Sequence, residues 1–399
     1  MSVDIAERNG FSPSRLARIA PTMQGYVDRG ELPGIATLVA RNGEIVHRST
    51  VGLADIESGR PLGEDAIYRV YSMSKPVIVA GVLSLLEEGR LALDDPAQRY
   101  IPELGEMQVL AGMDGDQPRL VPQTCPMTVR HLMAHTSGMT YGFFADDNWA
   151  ENCWAQAGCL NADLLLRDMP GILKGLPLLF QPGERWHYSV SIDVLGLLIE
   201  VISGQTLDVF LQERLFGPLG MQDTAFWTSP ENASRLATLY SRGEGDRLVA
   251  IDSPGGPFDR PRTFLSGGGG LTSTISDYWR FAQMLANGGT LNGARVLGPR
   301  TVRLMRSNHL PPQVRDYGNP PALGHDFGLG VRIIRNPAEA GELGSVGNFG
   351  WSGLASTDYW VDPAENLVGI CMMQYIAPPL TGYPVHWQFR TLTYSALVD

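Results

Sequence analysis

The chain has 399 residues, 44% of them hydrophobic and 18% charged, with a formal net charge of −11. Such a composition belongs to a folded protein, one large or two intimately joined domains, and not to a disordered chain. With an acid excess and no run of basic residues, it lacks the clustered cations that phosphates require, which excludes nucleic acid and disfavours an anionic membrane surface.

The N-terminal stretch MSVDIAERNGFSPSRLARIAP carries Asp4, Glu7 and Arg8 and has no apolar core of a signal peptide. No segment approaches the roughly 20 apolar residues that span a bilayer. Cys125, Cys153, Cys159 and Cys371 have no C-x-x-C spacing, so free thiols and a cytoplasmic location are expected, with no membrane partner.

In chain order, Arg15 to Arg29 reads as an amphipathic helix, with Leu16, Ile19, Met23 and Val27 at helical spacing. GIATLVARNGEIVHRSTVG follows, two strand-like runs around Asn42-Gly43, a dipeptide that favours a two-residue hairpin turn. Residues 76–88 read as a buried helix stopped by Gly89, with Pro76 in its first turn. MTVRHLMAHTSG is a short helix ending at Gly138. SVSIDVLGLLIEVISG places Val190, Val194, Leu197, Leu198 and Val201 along one side and stops at Gly204. TLDVFLQERLFGPLG and TISDYWRFAQMLANGG have the same form.

Long Gly/Pro-rich loops occupy 242–270 and 308–326; with residues 104–127 they are expected to shape the substrate pocket. The last seventy or so residues are rich in β-formers (FGLGVRII, STDYWVDP, NLVGICMMQY) and close on a helix from about Trp387. Strands thus gather at the two chain ends. The expected fold is mixed α/β (α+β), one antiparallel sheet built from both termini and flanked by helices, with a mostly helical region inserted. Residues 1–75 and 320–399 would form the α/β subdomain and residues 76–319 the helical one, with the active site between them.

Chemistry enters at Tyr71-Ser72-Met73-Ser74-Lys75. The chain has two lysines, Lys75 and Lys174, against 29 arginines. A serine hydroxyl is a poor nucleophile without an adjacent base. If Ser72 opens a helix, Lys75 lies one turn away on the same face. Lysine can lose its proton when burial lowers its pKa, whereas an arginine would supply the charge but never the base. The free N–H groups of a helix start, that of Ser72 among them, can donate to a developing oxyanion. Ser72 and Ser74 are equally compatible with ordinary helix caps, so partners must decide.

Two partners stand further along. In ERWHYSVSIDVLG, Tyr188 immediately precedes a helix. A phenol near a lysine ammonium can act as general base or proton shuttle, although a buried tyrosine with a hydrogen-bonded tip is the commoner fate. His187 reads as structural or supporting. In GNFGWSGLASTDYWVDP, Trp351-Ser352-Gly353 opens a strand, and the N–H of Leu354 is placed to complete an oxyanion hole opposite Ser72.

Together these motifs resemble those of the serine β-lactamase and penicillin-recognising superfamily, and more closely the class C β-lactamase-like carboxylesterases, or family VIII esterases. The carriers are S-x-x-K as YSMSK, the tyrosine motif as Tyr188-Ser189-Val190, and the third motif as Trp351-Ser352-Gly353. HLMAHTSGM, FQPGERWHYS, LSGGGGLTSTISDYWRFAQML and YWVDP extend the likeness over nearly the whole length. The resemblance implies an α/β sandwich joined to a helical region, with Ser72 acylated and Lys75 and Tyr188 sharing its activation. It also implies an oxyanion hole from the N–H groups of Ser72 and Leu354, and a substrate pocket bordered by Trp351, Ser352, Gly353 and Val190. No metal or organic cofactor is implied.

The family's lactamases resemble Y-x-N and K-T-G where this chain has Val190 and Trp351. Losing an asparagine and a lysine leaves a more apolar entrance, which favours neutral acyl esters over anionic lactams. Among rivals, the G-x-S-x-G of an α/β-hydrolase is missing, since GWSGL fails at its last position. His131 and His135 have metal-ligand spacing, but HLMAH lacks the glutamate of H-E-x-x-H and reads as packing. A non-catalytic binding relative is disfavoured by the serine, lysine and tyrosine together, while amide hydrolysis and acyl transfer share the same acyl-enzyme. The expectation is a serine carboxylesterase for small acyl esters, with oligomeric state open.

Overall fold

Asn42-Gly43 turns the chain back on itself, and the strands that it joins, Gly34–Arg41 and Glu44–Asp55, pair from Gly34 opposite Gly52 to Arg41 opposite Glu44. The free edge of Gly34–Arg41 takes Leu367–Met372 from the far end of the sequence, Ala36 opposite Met372. Beyond it lie Thr357–Asp362, Phe349–Gly353, Arg332–Ile334 and His325–Phe327, and Arg60–Pro61 closes the opposite edge of an eight-stranded antiparallel sheet. This is the sheet from both termini that the sequence led one to expect. The computed structural model describes residues 3–143, 148–252, 258, 260–314, 323–377 and 384–398.

Both faces of the sheet are covered, which is why its strands are apolar almost without interruption. Ala36, Leu38, Tyr359, Val361, Val368 and Ile370 point into a core shared with the helical region. Their neighbours Ile35, Val39, Trp360, Leu367 and Cys371 point into a second core beneath Ile19–Asp28 and Pro384–Ser395. On the first side Ser74–Glu87 is buried almost all round and packs on Ser191–Ser203. A helix apolar on every side belongs in a core.

Several local expectations change. The helix read as Arg15–Arg29 is two, Pro13–Leu16 and Ile19–Asp28. Pro21 lacks the N–H that would bond the Ala17 carbonyl, so a continuous helix loses a rung at that junction. The HLMAH helix runs only from Val129 to Met133, because His135 adopts a left-handed φ of 55° and turns the chain before Gly138. Val201 lies 50% exposed on the outer side of its helix, while Leu195 and Ile199 join the core. Residues 104–127 hold a hairpin, Val109–Asp114 with Gln117–Val121, turned at Gly115-Asp116, a Gly-Asp pair suited to a tight turn.

Within 242–270, Leu248–Asp252 is a strand paired with Leu239–Arg242, which in turn pairs in parallel with Tyr375–Ile376. Parts of two expected loops, 253–257, 259 and 315–322, lie outside the described residues. All four cysteines are free. Among the described residues no single helix is long and apolar enough to cross a membrane; one bent pair, Ser191–Ser203 with Leu207–Leu219, passes on composition, and its apolar residues are largely core.

Candidate active site

Ser72 lies in a 3₁₀ turn, Tyr71–Met73, and the α-helix starts at Ser74, two residues later than a helix opened by Ser72. The shift keeps the pairing, because residues three apart eclipse in a 3₁₀ turn. Lys75 Nζ stands 3.0 Å from Ser72 Oγ. Neither serine caps the helix: no side-chain cap bond is made, and Ser74 Oγ instead accepts the N–H of Leu271 at 3.1 Å. Tyr278 fastens the turn by donating to the Met73 carbonyl at 2.8 Å. Tyr71 holds φ at 42°, an uncommon conformation for a residue with a side chain, and such outliers gather at functional sites.

Lys75 is 1% exposed. Its ammonium donates to the Gly268 carbonyl at 2.6 Å and faces the rings of Tyr188, 4.5 Å to the centroid, and Tyr141, 5.4 Å. Gly268 is in turn held by Asp193, whose Oδ1 accepts its N–H at 3.0 Å and the Ser266 hydroxyl at 2.5 Å. A Cβ on Gly268 would sit 2.4 Å from Asp193 Oδ2 and 2.7 Å from the Tyr141 hydroxyl, so this position is confined to glycine. Asp193 is fully buried, and burial pushes its carboxyl above the ordinary carboxylate range against the pull of those hydrogen bonds and the Lys75 charge.

Tyr188 is placed by backbone pairing, since the His187 N–H donates to the His135 carbonyl at 2.8 Å and that of Gly183 to Thr136 at 2.7 Å. Its phenol oxygen accepts the Trp351 indole N–H at 3.3 Å. His135 packs on Tyr188 with ring centroids 4.8 Å apart, inside a group that includes Trp186 and Phe327. Burial, aided by the Lys75 charge, holds the His135 imidazole well below its usual pKa, hence neutral. His131 meanwhile caps its own helix through Thr128, so the two rings share no face. His187 supports from behind, its Nε2 3.0 Å from Thr140 Oγ1 and 3.1 Å from the buried Glu151 carboxylate.

Phe349–Gly353 is an interior strand, yet its pairing with Arg332–Ile334 stops at Gly350, which opens Trp351 to Gly353 toward the cleft. Trp351 is thus mid-strand, not at its start. A Cβ on Gly353 would lie 2.3 Å from the Val70 carbonyl; its absence lets the strand end close on the turn that carries Ser72. Leu354 follows in the turn. Among the described residues no hydrogen bond engages the N–H of Ser72 or of Leu354.

The cleft of 570 Å³ over Ser72 is lined by Tyr188, Trp351, Ser352, Gly353 and Leu354, and by Tyr141, Phe143, Leu160, Phe258, Phe264 and the Gly268–Gly270 run. Val190 is apart from it, fully buried as the cap residue of Ser191–Ser203, so it reaches substrate only through Tyr188 and the helix behind it. Of the loops expected to shape the pocket, 242–270 lines it and the 109–121 hairpin does not. Asp193, Gly268 and Tyr141 escaped the sequence reading, and His135, read there as packing, packs on Tyr188. An acid inside the apolar run SIDVLGLLI and the SGGGG segment were the available signals.

The family model described as Beta-lactamase matches residues 19–381. Protein Rv1367c of Mycobacterium tuberculosis is 37% identical over 354 residues, 87% of each chain. Esterase EstB of Burkholderia gladioli is 31% identical over 405 residues, 96% of each. Among solved structures, EstCE1, described as a hydrolase with promiscuous acyltransferase activity, superposes with a TM-score of 0.83 at 25% identity, covering 96% of this chain and 99% of its own.

Proposed function

The chain belongs to the Beta-lactamase family, and from that premise we propose that it is a serine carboxylesterase for small acyl esters, acting through an acyl-enzyme on Ser72. The observation that carries the reading is the 3.0 Å contact between Lys75 Nζ and Ser72 Oγ at the floor of an aromatic cleft. With Lys75 deprotonated, that line lets the Ser72 hydroxyl donate to Nζ while Oγ attacks the ester carbonyl. The carbonyl π-bond opens to an oxyanion, for which the N–H groups of Ser72 and Leu354 are the donors. Collapse of the intermediate expels the alcohol, which takes the proton that Lys75 received from Ser72, relayed through the Tyr188 hydroxyl. Water then repeats the sequence on the acyl-enzyme, with the same groups as base.

Trp351 stands where the related lactamases carry a lysine, and its indole donates to the Tyr188 phenol oxygen without adding positive charge at that wall. Ester turnover is therefore favoured over lactam turnover. Acyl transfer to a small alcohol is the second reading, supported by the promiscuous acyltransferase activity of the similar EstCE1. The test is one purified sample assayed on p-nitrophenyl butyrate and on a chromogenic cephalosporin. The proposal expects fast release of p-nitrophenol with little lactam opening; efficient lactam hydrolysis would transfer the assignment to a β-lactamase. Added methanol that diverts the acyl group into methyl butyrate, at the expense of butyrate, would favour transfer.

A further inference from the structure

Arg262 is the one residue with a formal charge among the described residues that line the cleft over Ser72. Its guanidinium carbon lies 4.5 Å from the centroid of the Phe258 ring, and Phe258 meets Tyr71, the neighbour of Ser72, edge to face at 6.0 Å. Arg262 therefore stands on the loop wall, two rings along from the nucleophile, in the cleft that Trp351 also lines. Among the described residues it makes no ion pair and no hydrogen bond, unlike Arg69, which takes the other cationic contact with Phe258 at 5.4 Å and is paired with Asp252 at 2.7 Å. The one carboxylate ion-paired beside Phe258, Asp252, pairs with Arg69, and Arg262 brings a second positive charge to the cleft lining.

A guanidinium held among aromatic rings has lost part of its hydration, and its five donors match a carboxylate in a two-point contact. Phe258 holds the guanidinium by cation–π attraction, which leaves its edge free for a ligand.

We propose that Arg262 selects esters that carry a carboxylate remote from the scissile bond, as in the monoesters of dicarboxylic acids. The inference rests on the esterase reading and extends it, since the cation absent at Trp351 is present elsewhere in the same cleft lining at Arg262. Neutral esters use the same Ser72 machinery without this contact. Arg262 touches no reacting atom, so it is a specificity residue and not a catalytic one.

The experiment compares kcat/KM on p-nitrophenyl butyrate with that on the p-nitrophenyl monoesters of succinate, glutarate, adipate and suberate, for the wild type and Arg262→Gln. A parallel series, butyrate esters of hydroxybenzoates, places the carboxylate on the alcohol side. One of the anionic series should outrun its neutral counterpart at a preferred length. Arg262→Gln should lower that anionic kcat/KM by roughly 10- to 100-fold, the usual scale for a charged hydrogen bond, and leave p-nitrophenyl butyrate within about twofold. Arg262→Lys should recover part of the loss, and 0.5 M salt should narrow the wild-type preference. Wild-type turnover of butyrate with no anionic preference in either series overturns this inference alone. Failure to turn over butyrate or any anionic ester overturns the esterase reading beneath it.

Discussion

The cleft has two unlike walls. One is built on regular structure: the turn and helix bearing Ser72 and Lys75, the start of the helix after Tyr188, and the strand end Trp351–Gly353. The other is built from irregular chain, Tyr141, Phe143, Leu160, Phe258, Arg262, Phe264, Ser266 and the Gly268–Gly270 run. The first wall holds Ser72 and Tyr188 with Lys75 behind them, the groups proposed to exchange protons; such chemistry tolerates little misplacement, and packed elements supply that precision. The second presents rings, a glycine run and one arginine, and loops on a rigid scaffold are where selectivity usually varies. Gly268 joins them, because its carbonyl receives the Lys75 ammonium while its N–H is held by Asp193.

The division is broken most severely at the regular wall. Lys75→Arg keeps the charge and loses the base, so kcat on p-nitrophenyl butyrate should fall at least about 10³-fold with melting temperature little changed. An active Lys75→Arg enzyme would remove Lys75 as base. Tyr188→Phe keeps the ring packing on His135 and deletes the hydroxyl that accepts from Trp351. A loss of roughly 10²- to 10³-fold in kcat is expected, the scale of a proton-transfer group. Near-normal turnover there would reduce Tyr188 to packing.

Gly268→Ala tests the junction. The added methyl meets Asp193 and Tyr141 and must push the Gly268 carbonyl off Lys75. A decrease of roughly 10- to 100-fold in kcat, with an altered pH profile, is the expected outcome; an unchanged profile would mean that Lys75 does not depend on this carbonyl.

The smallest effect lies away from both walls. His47 is buried beside Thr37, 2.9 Å away, and burial lowers its pKa from 6.5 to about 4. The folded state keeps this imidazole neutral while the unfolded chain protonates near 6.5. Its contribution is therefore complete above pH 6.5 and is lost as the pH falls toward 4, a swing of about 3 kcal/mol. His47→Gln should flatten the denaturation midpoint across that window without changing the activity profile at neutral pH. An identical slope in the variant would assign the acid sensitivity to other buried histidines.

The same contrast governs what could be read from sequence. Ser72 and Lys75 are legible because three residues is one turn in any helix, and the sheet is legible because Asn42-Gly43 and the apolar runs at both ends have local signatures. Asp193 is not, because its role depends on Ser266 and Gly268, more than seventy residues away, folding over it. Val190 shows the opposite failure: a motif position next to Tyr188 in sequence faces the core once the helix turns. His135 was legible as a packing residue, but not its partner: the helix ends at Met133, and His135, itself left-handed, lays its ring on Tyr188. Arg262 carries no local pattern, and only the rings gathered around the cleft give it meaning.

The central claim, covalent catalysis at Ser72, is tested most directly by rapid-quench mass spectrometry of the protein with p-nitrophenyl butyrate. The mechanism predicts a transient mass increase of one butyryl group, mapped by peptide analysis to Ser72, formed and lost at rates that account for turnover and absent in Ser72→Ala. Undiminished turnover by Ser72→Ala, or an acyl group mapped to a different residue, would contradict it.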